Sequence, residues 1–551
     1  MWKKQIPNIS PVILTVLTIM ITYLFMITRT TLWDRDEPRF TRAAVEMLET
    51  GNYLVPTFNG QLWADKPILV YWLMSLSMKI FGTNEFACRF FSAIGTSISC
   101  LLTFLIGKRL FGAKEGLYAM VILASSIMML AVGTMATADG STLPLILAAM
   151  TVFVYAVTSK LRYYHTILIG IFMGLAMLAK GPIGLLPLPV MLITLWFDRK
   201  DYPDFIKKSL TVSLALAIAI IIFLAWAIQA NKATDGQFLN TFIGKHVITR
   251  AIKPMEHHGG NFLLYLPYYL PVIIGGFFPW TMFLPGAFSA LIGNRLGLKP
   301  GKKILLVWII SIVIIMSLAA TKLPHYIIFI WPALALIAAA AITAFQKGKL
   351  NEQDLNWLRR GNWFFVPLGT LAGLGFIGAP FFLKISALLI PAIICGIILL
   401  SMTYLVTYYL YHNQPVSAAK IAFTGMILFH IPYILGVLPV IEDIKVTPTI
   451  AKAINKATTS NISVATYKFR EPSLNYYLGR NIKELSDQKQ VVEWIQQKES
   501  AVLIIPIDEY ENIKQNYVDL PTELLISKKG LNFSKGKKIE LLALLCNQGT
   551  K

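Results

Sequence analysis

Apolar residues in this chain gather into blocks about 20 residues long, as at 208–228, 325–345 and 386–410. Twenty helical residues at about 1.5 Å each match the roughly 30 Å hydrocarbon layer of a bilayer. Inside that layer the backbone must satisfy its own hydrogen bonds, so only helices or a closed barrel can cross it. Continuous apolar runs, rather than alternating ones, select the helix. Composition agrees: 56% of the residues are hydrophobic and only 14% are charged, against about a quarter charged in a soluble protein. A disordered chain, a fibrous chain and an ordinary soluble enzyme are excluded.

Thirteen stretches qualify as spans: 10–28, 87–107, 114–134, 141–158, 165–180, 181–197, 208–228, 263–288, 303–320, 325–345, 363–383, 386–410 and 420–441. The formal charge of +21 would suggest nucleic acid in a soluble protein. Here most of the basic excess falls in the short loops of one face, including Lys108, Arg109, Lys207, Lys208, Arg359 and Arg360. That is the positive-inside pattern with a cytoplasmic N-terminus, and it leaves no role for nucleic acid. The basic start and long apolar run, with no small-residue cleavage signal, read as a retained first helix. Cys88, Cys100, Cys395 and Cys546 form no CxxC or Cys/His cluster, so neither a disulfide framework nor a structural zinc site is expected.

The predicted architecture is an all-α polytopic membrane body over residues 1–441 and a small α/β domain over 442–551. An odd number of spans puts that tail outside, with the loops 29–86 and 229–262. In the tail, Ile462–Thr466, Ala501–Ile505 and Ile539–Leu545 read as strands, and Val491–Gln497 and Glu509–Gln515 as helices. It holds no phosphate loop or catalytic cluster and reads as accessory.

The first outer loop contains Asp36-Glu37-Pro38-Arg39-Phe40. Asp36 suits a helix N-cap, Pro38 the first turn and Gly51 the stop. A second short helix from Pro67 to Phe81 follows Asp65-Lys66 and is too short to span, so it lies at the interface with Tyr71 and Trp72. Asp139 is isolated at the outer end of an apolar run, where an ionisable group is a functional candidate. Lys180 stands at the turn Lys180-Gly181-Pro182, where a snorkelling anchor is as good a reading. The second loop supplies His246, Arg250, His257 and His258, and Lys322-Leu323-Pro324-His325-Tyr326 caps two later spans. Together Asp36, Asp65, Lys66, Asp139, Arg250, His257 and Lys322 offer cations to grip a phosphate and carboxylates to orient sugar, nucleophile or metal. A lipid phosphate, with its chain among the spans, fits such a pocket. A transporter fits less well, since almost no charge lies at mid-span; a sensor that uses the tail is a further alternative.

These motifs, with Gly51–Pro56, Phe81-Gly82 and Ala179-Lys180-Gly181-Pro182, resemble the aminoarabinose transferases that modify bacterial lipid A, within the wider superfamily of protein O-mannosyltransferases. The resemblance runs from about residue 10 to 345. It implies a GT-C glycosyltransferase fold in a bacterial inner membrane, with the active site and tail periplasmic. It implies an undecaprenyl-phosphate-linked amino-sugar donor, a lipid A acceptor and surrounding membrane lipids. Asp36 and Asp139 would be the catalytic acids, and Lys66, Arg250 and Lys322 the donor-phosphate contacts. Glu37, Arg39, Phe40, Tyr71, Lys180 and Tyr326 would line the sugar and lipid pocket. Asp65 with His257 or His258 would hold a divalent metal (zinc, magnesium or manganese), and no nucleotide or redox cofactor is implied. Three departures from the family pattern, Asp65 for Glu, Phe40 for Tyr and Gly140 for a larger residue, leave the sugar open between aminoarabinose and a relative such as galactosamine. A protein O-glycosyltransferase or other glycan transferase of the same fold is the alternative.

Overall fold

The computed structural model describes residues 9–159, 162–197, 199, 205–254, 265–296, 303–459, 461–496, 500–517 and 520–546. Among them, eight helices are long and apolar enough to cross a membrane, or ten if two bent helix pairs each count as one span. Three shorter apolar helices, Pro11–Met26, Pro187–Phe197 and Ile304–Leu318, fall on the remaining predicted stretches, so length alone gives fewer than the thirteen expected. The chain is a membrane-embedded helical protein. The four cysteines are buried.

The chain forms two compact units. The first comprises Met1–Ile27, Ala64–Leu73 and Arg89–Val437. Its centre is the span Pro324–Gln346, buried along its whole apolar window. The run Ala338–Ala341 there is small enough for neighbouring helix backbones to come close, which is how helices pack where lipid removes the hydrophobic drive. Peripheral spans have the opposite character. Only 17% of the apolar window in Glu352–Leu383 is buried, and Phe381 and Phe382 stand exposed, side chains that only a hydrocarbon solvent makes sense of. The helices Glu85–Leu110 and Ala138–Val157 cross at their glycines. A Cβ on Gly140 would lie 2.6 Å from Ser92 Cβ, and one on Gly95 would lie 2.2 Å from the Gly140 carbonyl oxygen. The larger residue expected after Asp139 therefore has no room.

The second unit comprises Thr28–Trp63, Met74–Cys88 and Leu438–Lys551. Its helix Asp36–Thr50 ends at Gly51 (φ 70°), as predicted, although the N-cap position falls on Arg35 rather than Asp36. A two-residue hairpin follows, β1 (Thr57–Phe58) and β2 (Gln61–Leu62). Its turn residues Asn59 and Gly60 both have positive φ, the geometry that Asn-Gly turns favour. Buried Glu46 fixes this turn by accepting from Thr57 Oγ1 at 2.7 Å and Asn59 N at 2.7 Å. The remaining strands are β3 (Ser463–Tyr467), β4 (Lys483–Leu485), β5 (Ala501–Pro506), β6 (Thr522–Asn532) and β7 (Lys537–Cys546). They form one sheet in the order β4-β3-β5-β7-β6. β3 runs parallel to β4 and β5, and β7 is antiparallel to β5 and β6. The near-continuous apolar run Ala501–Ile505 is buried throughout, as expected for a strand covered on both faces. β4 and β6, more polar and nearer the sheet edges, were not predicted.

The tail does not stand apart from the first loop. Glu442 Oε2 accepts from Thr31 N at 3.0 Å, Tyr477 OH accepts from Leu32 N at 2.7 Å, and Asp34 Oδ1 accepts from Ser473 N at 2.8 Å. Lys445 Nζ lies 3.7 Å from the centre of the Trp33 ring. Asn59 is clasped by the backbone of Ile482 through both ends of its amide, at 2.8 and 3.0 Å.

Candidate active site

In the first unit, two chain segments meet around the carboxylate of Asp65. Lys66 Nζ lies 2.9 Å from Asp65 Oδ2, while His246 Nδ1 lies 2.8 Å and Arg250 Nη2 3.7 Å from Oδ1. Burial alone would push this carboxyl's pKa up; Lys66, His246 and Arg250 outweigh it and hold it well below the usual carboxylate range. His246 and Arg250 come from the continuous helical segment Asn240–Ile252. Its end is tied down by Thr321 N donating to Arg250 O at 3.1 Å and Ala320 N donating to Ala251 O at 2.9 Å. Arg250 Nη1 donates to Tyr326 OH at 3.3 Å.

Beside this group, Lys180 Nζ donates to Asp139 Oδ1, with both side chains buried. Asp139 Oδ2 also lies 3.8 Å from His325 Nε2. The Lys180 ammonium sits 5.3 Å from the Tyr326 ring and 5.7 Å from the Phe329 ring. Two isolated charges here would be prohibitively desolvated; paired, and with aromatic faces beneath the ammonium, they become tolerable. Gly181 (φ 62°) makes the turn, and a Cβ there would meet Phe242 at 2.6 Å.

Asp65, Lys66, Lys180, His246, Arg250 and Tyr326 line a cavity of about 360 Å³ whose other wall is apolar, with Ile183, Phe242, Ile315, Met316 and Leu318. Lys66, Lys180 and Arg250 stand with Asp65 at one end and hydrocarbon lines the other. Such a pocket suits an amphiphile with an anionic headgroup.

Not every expected residue is gathered there. Lys322 is buried and its ammonium donates to the carbonyls of Ser317 (2.7 Å) and Ala319 (2.6 Å). It caps the C-terminal end of Ile304–Leu318, as lysines do, rather than facing the cavity as a donor-phosphate contact. Tyr71 is fully buried in the helix Leu69–Phe81 and does not line this cavity. His257 and His258 lie outside the described residues. The imidazole that meets Asp65 is His246, and its i,i+4 spacing from Arg250 is the sequence signal that would have found it. Among the described residues no group of three His, Cys, Asp or Glu side chains could hold a metal.

Asp36, Glu37, Arg39 and Phe40 belong to the second unit. Asp36 is exposed at the start of its helix, with Arg39 Nη1 3.9 Å away. Glu37 is buried and its Oε2 accepts from Trp33 N at 2.8 Å, so it braces the turn before the helix. Arg39 lies 5.6 Å from the Trp63 ring centre. Phe40 is buried, 5% exposed, on the face of its helix that packs inward; a tyrosine hydroxyl there would need a buried partner.

Residues 65–228 match a family model described as dolichyl-phosphate-mannose-protein mannosyltransferase. The undecaprenyl phosphate-alpha-4-amino-4-deoxy-L-arabinose arabinosyl transferase 2 of Proteus mirabilis is 30% identical over 62% of this chain and 62% of its own length. The corresponding enzyme of an Enterobacter species is 31% identical over 58% and 57%. The matched segment thus spans about three fifths of the relatives' length. The crystal structure of ArnT from Cupriavidus metallidurans, bound to undecaprenyl phosphate, superposes with a TM-score of 0.76 over 97% of this chain and 98% of that one, at 17% identity. The chain is a polytopic membrane protein of the GT-C glycosyltransferase fold with a small C-terminal α/β domain. Within that class it resembles the aminoarabinose transferases, in the wider mannosyltransferase superfamily.

Proposed function

We propose that this protein is an inverting glycosyltransferase that moves an amino sugar, 4-amino-4-deoxy-L-arabinose or a relative such as galactosamine, from undecaprenyl phosphate to a lipid A phosphate. The observation that carries this reading is the cavity in which Lys66, Lys180 and Arg250 gather with Asp65 at the end of an apolar wall. A polyprenyl phosphate needs both ends of it. The names of the relatives and the ligand of the superposed structure support the same donor. The work would take place at the periplasmic face of the inner membrane, with the N-terminus cytoplasmic, as the distribution of basic loops favours.

Transfer breaks the bond between the anomeric carbon and the lipid phosphate oxygen and forms one to the acceptor oxygen. Lys66 and Arg250 stabilise the negative charge that grows on the departing lipid phosphate. Tyr326 holds the Arg250 guanidinium in place. Asp139, paired with Lys180, is the acid this reading assigns to the sugar's ammonium. An acceptor phosphate is already anionic, so Asp36 acts in positioning sugar or acceptor rather than in removing a proton; with a hydroxyl acceptor it would be the general base. A divalent metal would be held by Asp65 and His246, whose Oδ1 and Nδ1 are buried without an aligned hydrogen bond. Its chemistry would be neutralisation of phosphate charge.

Mass spectrometry of lipid A from cells with and without the protein tests the proposal. An added pentosamine or hexosamine mass is expected and names the sugar. Unchanged lipid A, with a sugar lost from a secreted protein instead, would move the acceptor to the hydroxyl class that the family model's description suggests.

A further inference from the structure

The second unit holds a cavity of about 590 Å³ that is larger and more polar than the one around Asp65. It opens at the carboxyl ends of the parallel strands β3 and β4, bounded by the loop Lys468–Pro472 and by Glu484–Ser486. Open α/β sheets characteristically bind ligands there, and the volume lies within the roughly 300–1,000 Å³ typical of ligand sites. Arg35, Arg39, Lys468, Arg470 and Lys535 supply cations against the acids Glu471 and Glu484.

Three features give this cavity its chemistry. Phe58 and Trp63 form an aromatic wall, their ring centres 5.5 Å apart, and the Arg39 guanidinium stands over Trp63. Glu471 is 4% exposed; its Oε1 accepts from Asn532 Nδ2 at 3.0 Å and from Ser534 Oγ, while its Oε2 accepts no hydrogen bond among the described residues and has Arg35 Nε 3.7 Å away. A buried oxygen in that position calls for a donor. Arg470, paired with Glu484 at 3.1 Å, and Lys468, held on a positive-φ backbone (58°), are both exposed and available to an anion. An aromatic face for the apolar side of a sugar ring, a buried carboxylate for its hydroxyls or ammonium, and guanidinium groups along the same lining for phosphate describe one ligand class.

We propose that this cavity binds a phosphorylated amino-sugar headgroup, that of the glycolipid acceptor. The ligand's role as acceptor rests on the transferase reading above; its chemistry does not. Arg39 connects the cavity to Asp36, 3.9 Å away, the residue to which that reading gives the task of positioning.

The test uses the full chain in nanodiscs of phosphatidylcholine. The probe is the deacylated lipid A headgroup, a bisphosphorylated glucosamine disaccharide, with inorganic phosphate as comparator. Calorimetric titration is expected to show the headgroup binding at least tenfold more tightly than phosphate. Binding should weaken at least tenfold in the double variant Lys468→Glu/Arg470→Glu, whose exposed sites threaten the fold little. Trp63→Ala should erase the preference over phosphate. With transfer assayed alongside, the double variant should raise the acceptor KM about tenfold and leave the donor KM unmoved. Absence of headgroup binding, or binding indifferent to the double variant, overturns the proposal even if lipid A is modified. Headgroup binding that the variant abolishes upholds the site even if lipid A is never modified, in which case the function proposal alone falls.

Discussion

Lys66 and Arg250 approach the same carboxylate from different loops, so each is both a phosphate contact and a neutraliser of Asp65. Replacing Lys66 by Met should cut transfer kcat/KM by about 100-fold or more, the scale seen when one charge-stabilising donor is removed. Steady-state kinetics on purified protein checks this, and a loss under tenfold would take Lys66 out of the proposed mechanism. The buried pair Asp139–Lys180 makes a different forecast. Removing one partner strands a charge, at a cost of about 3–5 kcal/mol. Asp139→Asn and Lys180→Met should each lower thermal stability sharply, and the double variant by clearly less than the sum; additive losses would mean the two do not act as a pair. Much of this site was legible in the sequence. Asp65-Lys66 stood out in the first outer loop, Asp139 at the end of an apolar run and Arg250 in the second loop. His246 was passed over for His257 and His258 because adjacency in sequence is conspicuous, whereas the fold selects by helical spacing. Lys322 was read as a phosphate contact because its motif could not show that the ammonium turns back onto carbonyls of the preceding helix.

At the scale of the element, hydropathy located the spans because a hydrocarbon surround leaves a continuous apolar run, but it could not say which helices bend or fall short. The pair Ala113–Ala124 and Ile127–Thr134 is bent by 66° within what reads as one apolar run. The hairpin at Asn59-Gly60 was readable and unread, since its strands are only two residues long. Gly140 was read as a departure that bore on the sugar; in the fold it is a packing position. Gly140→Val should separate Glu85–Leu110 from Ala138–Val157 and shift Asp139, lowering activity and stability together, whereas Gly140→Ala should do so less. Near-normal activity in the valine variant would contradict this. The docking of the segment 28–63 carries a pH signature of its own. Burial, with a smaller push from Glu471, raises the Asp34 carboxyl from 3.8 to about 6 against the pull of Ser473 and Lys445. The folded unit therefore prefers Asp34 protonated. The stabilisation is fully present below pH about 4 and lost as pH rises through about 6. Asp34→Asn should flatten the pH dependence of thermal unfolding in this window, and an unchanged slope would assign it to other groups.

At the scale of the whole molecule, the C-terminal domain was read as accessory because it contains no catalytic motif, yet function can depend on a domain that holds no reacting group. Helix Asp36–Thr50 packs on the tail helix Ser473–Leu478. The segment before it is held by Glu442, Lys445, Ser473 and Tyr477. No sequence signal announces contacts separated by more than 400 residues, which is why the tail's dependence on the loop was invisible. Deleting residues 442–551 would leave Thr31, Leu32, Asp34 and Asn59 without these partners, and each such hydrogen bond contributes roughly 0.5–1.5 kcal/mol net. The expected result is a membrane-inserted body in which residues 28–63 are cut by protease and no sugar is transferred. Limited proteolysis read by mass spectrometry, together with the lipid A assay, distinguishes this from loss of insertion. A truncated protein that resists cleavage in that segment and still transfers sugar would return the tail to the accessory role that its motifs suggested.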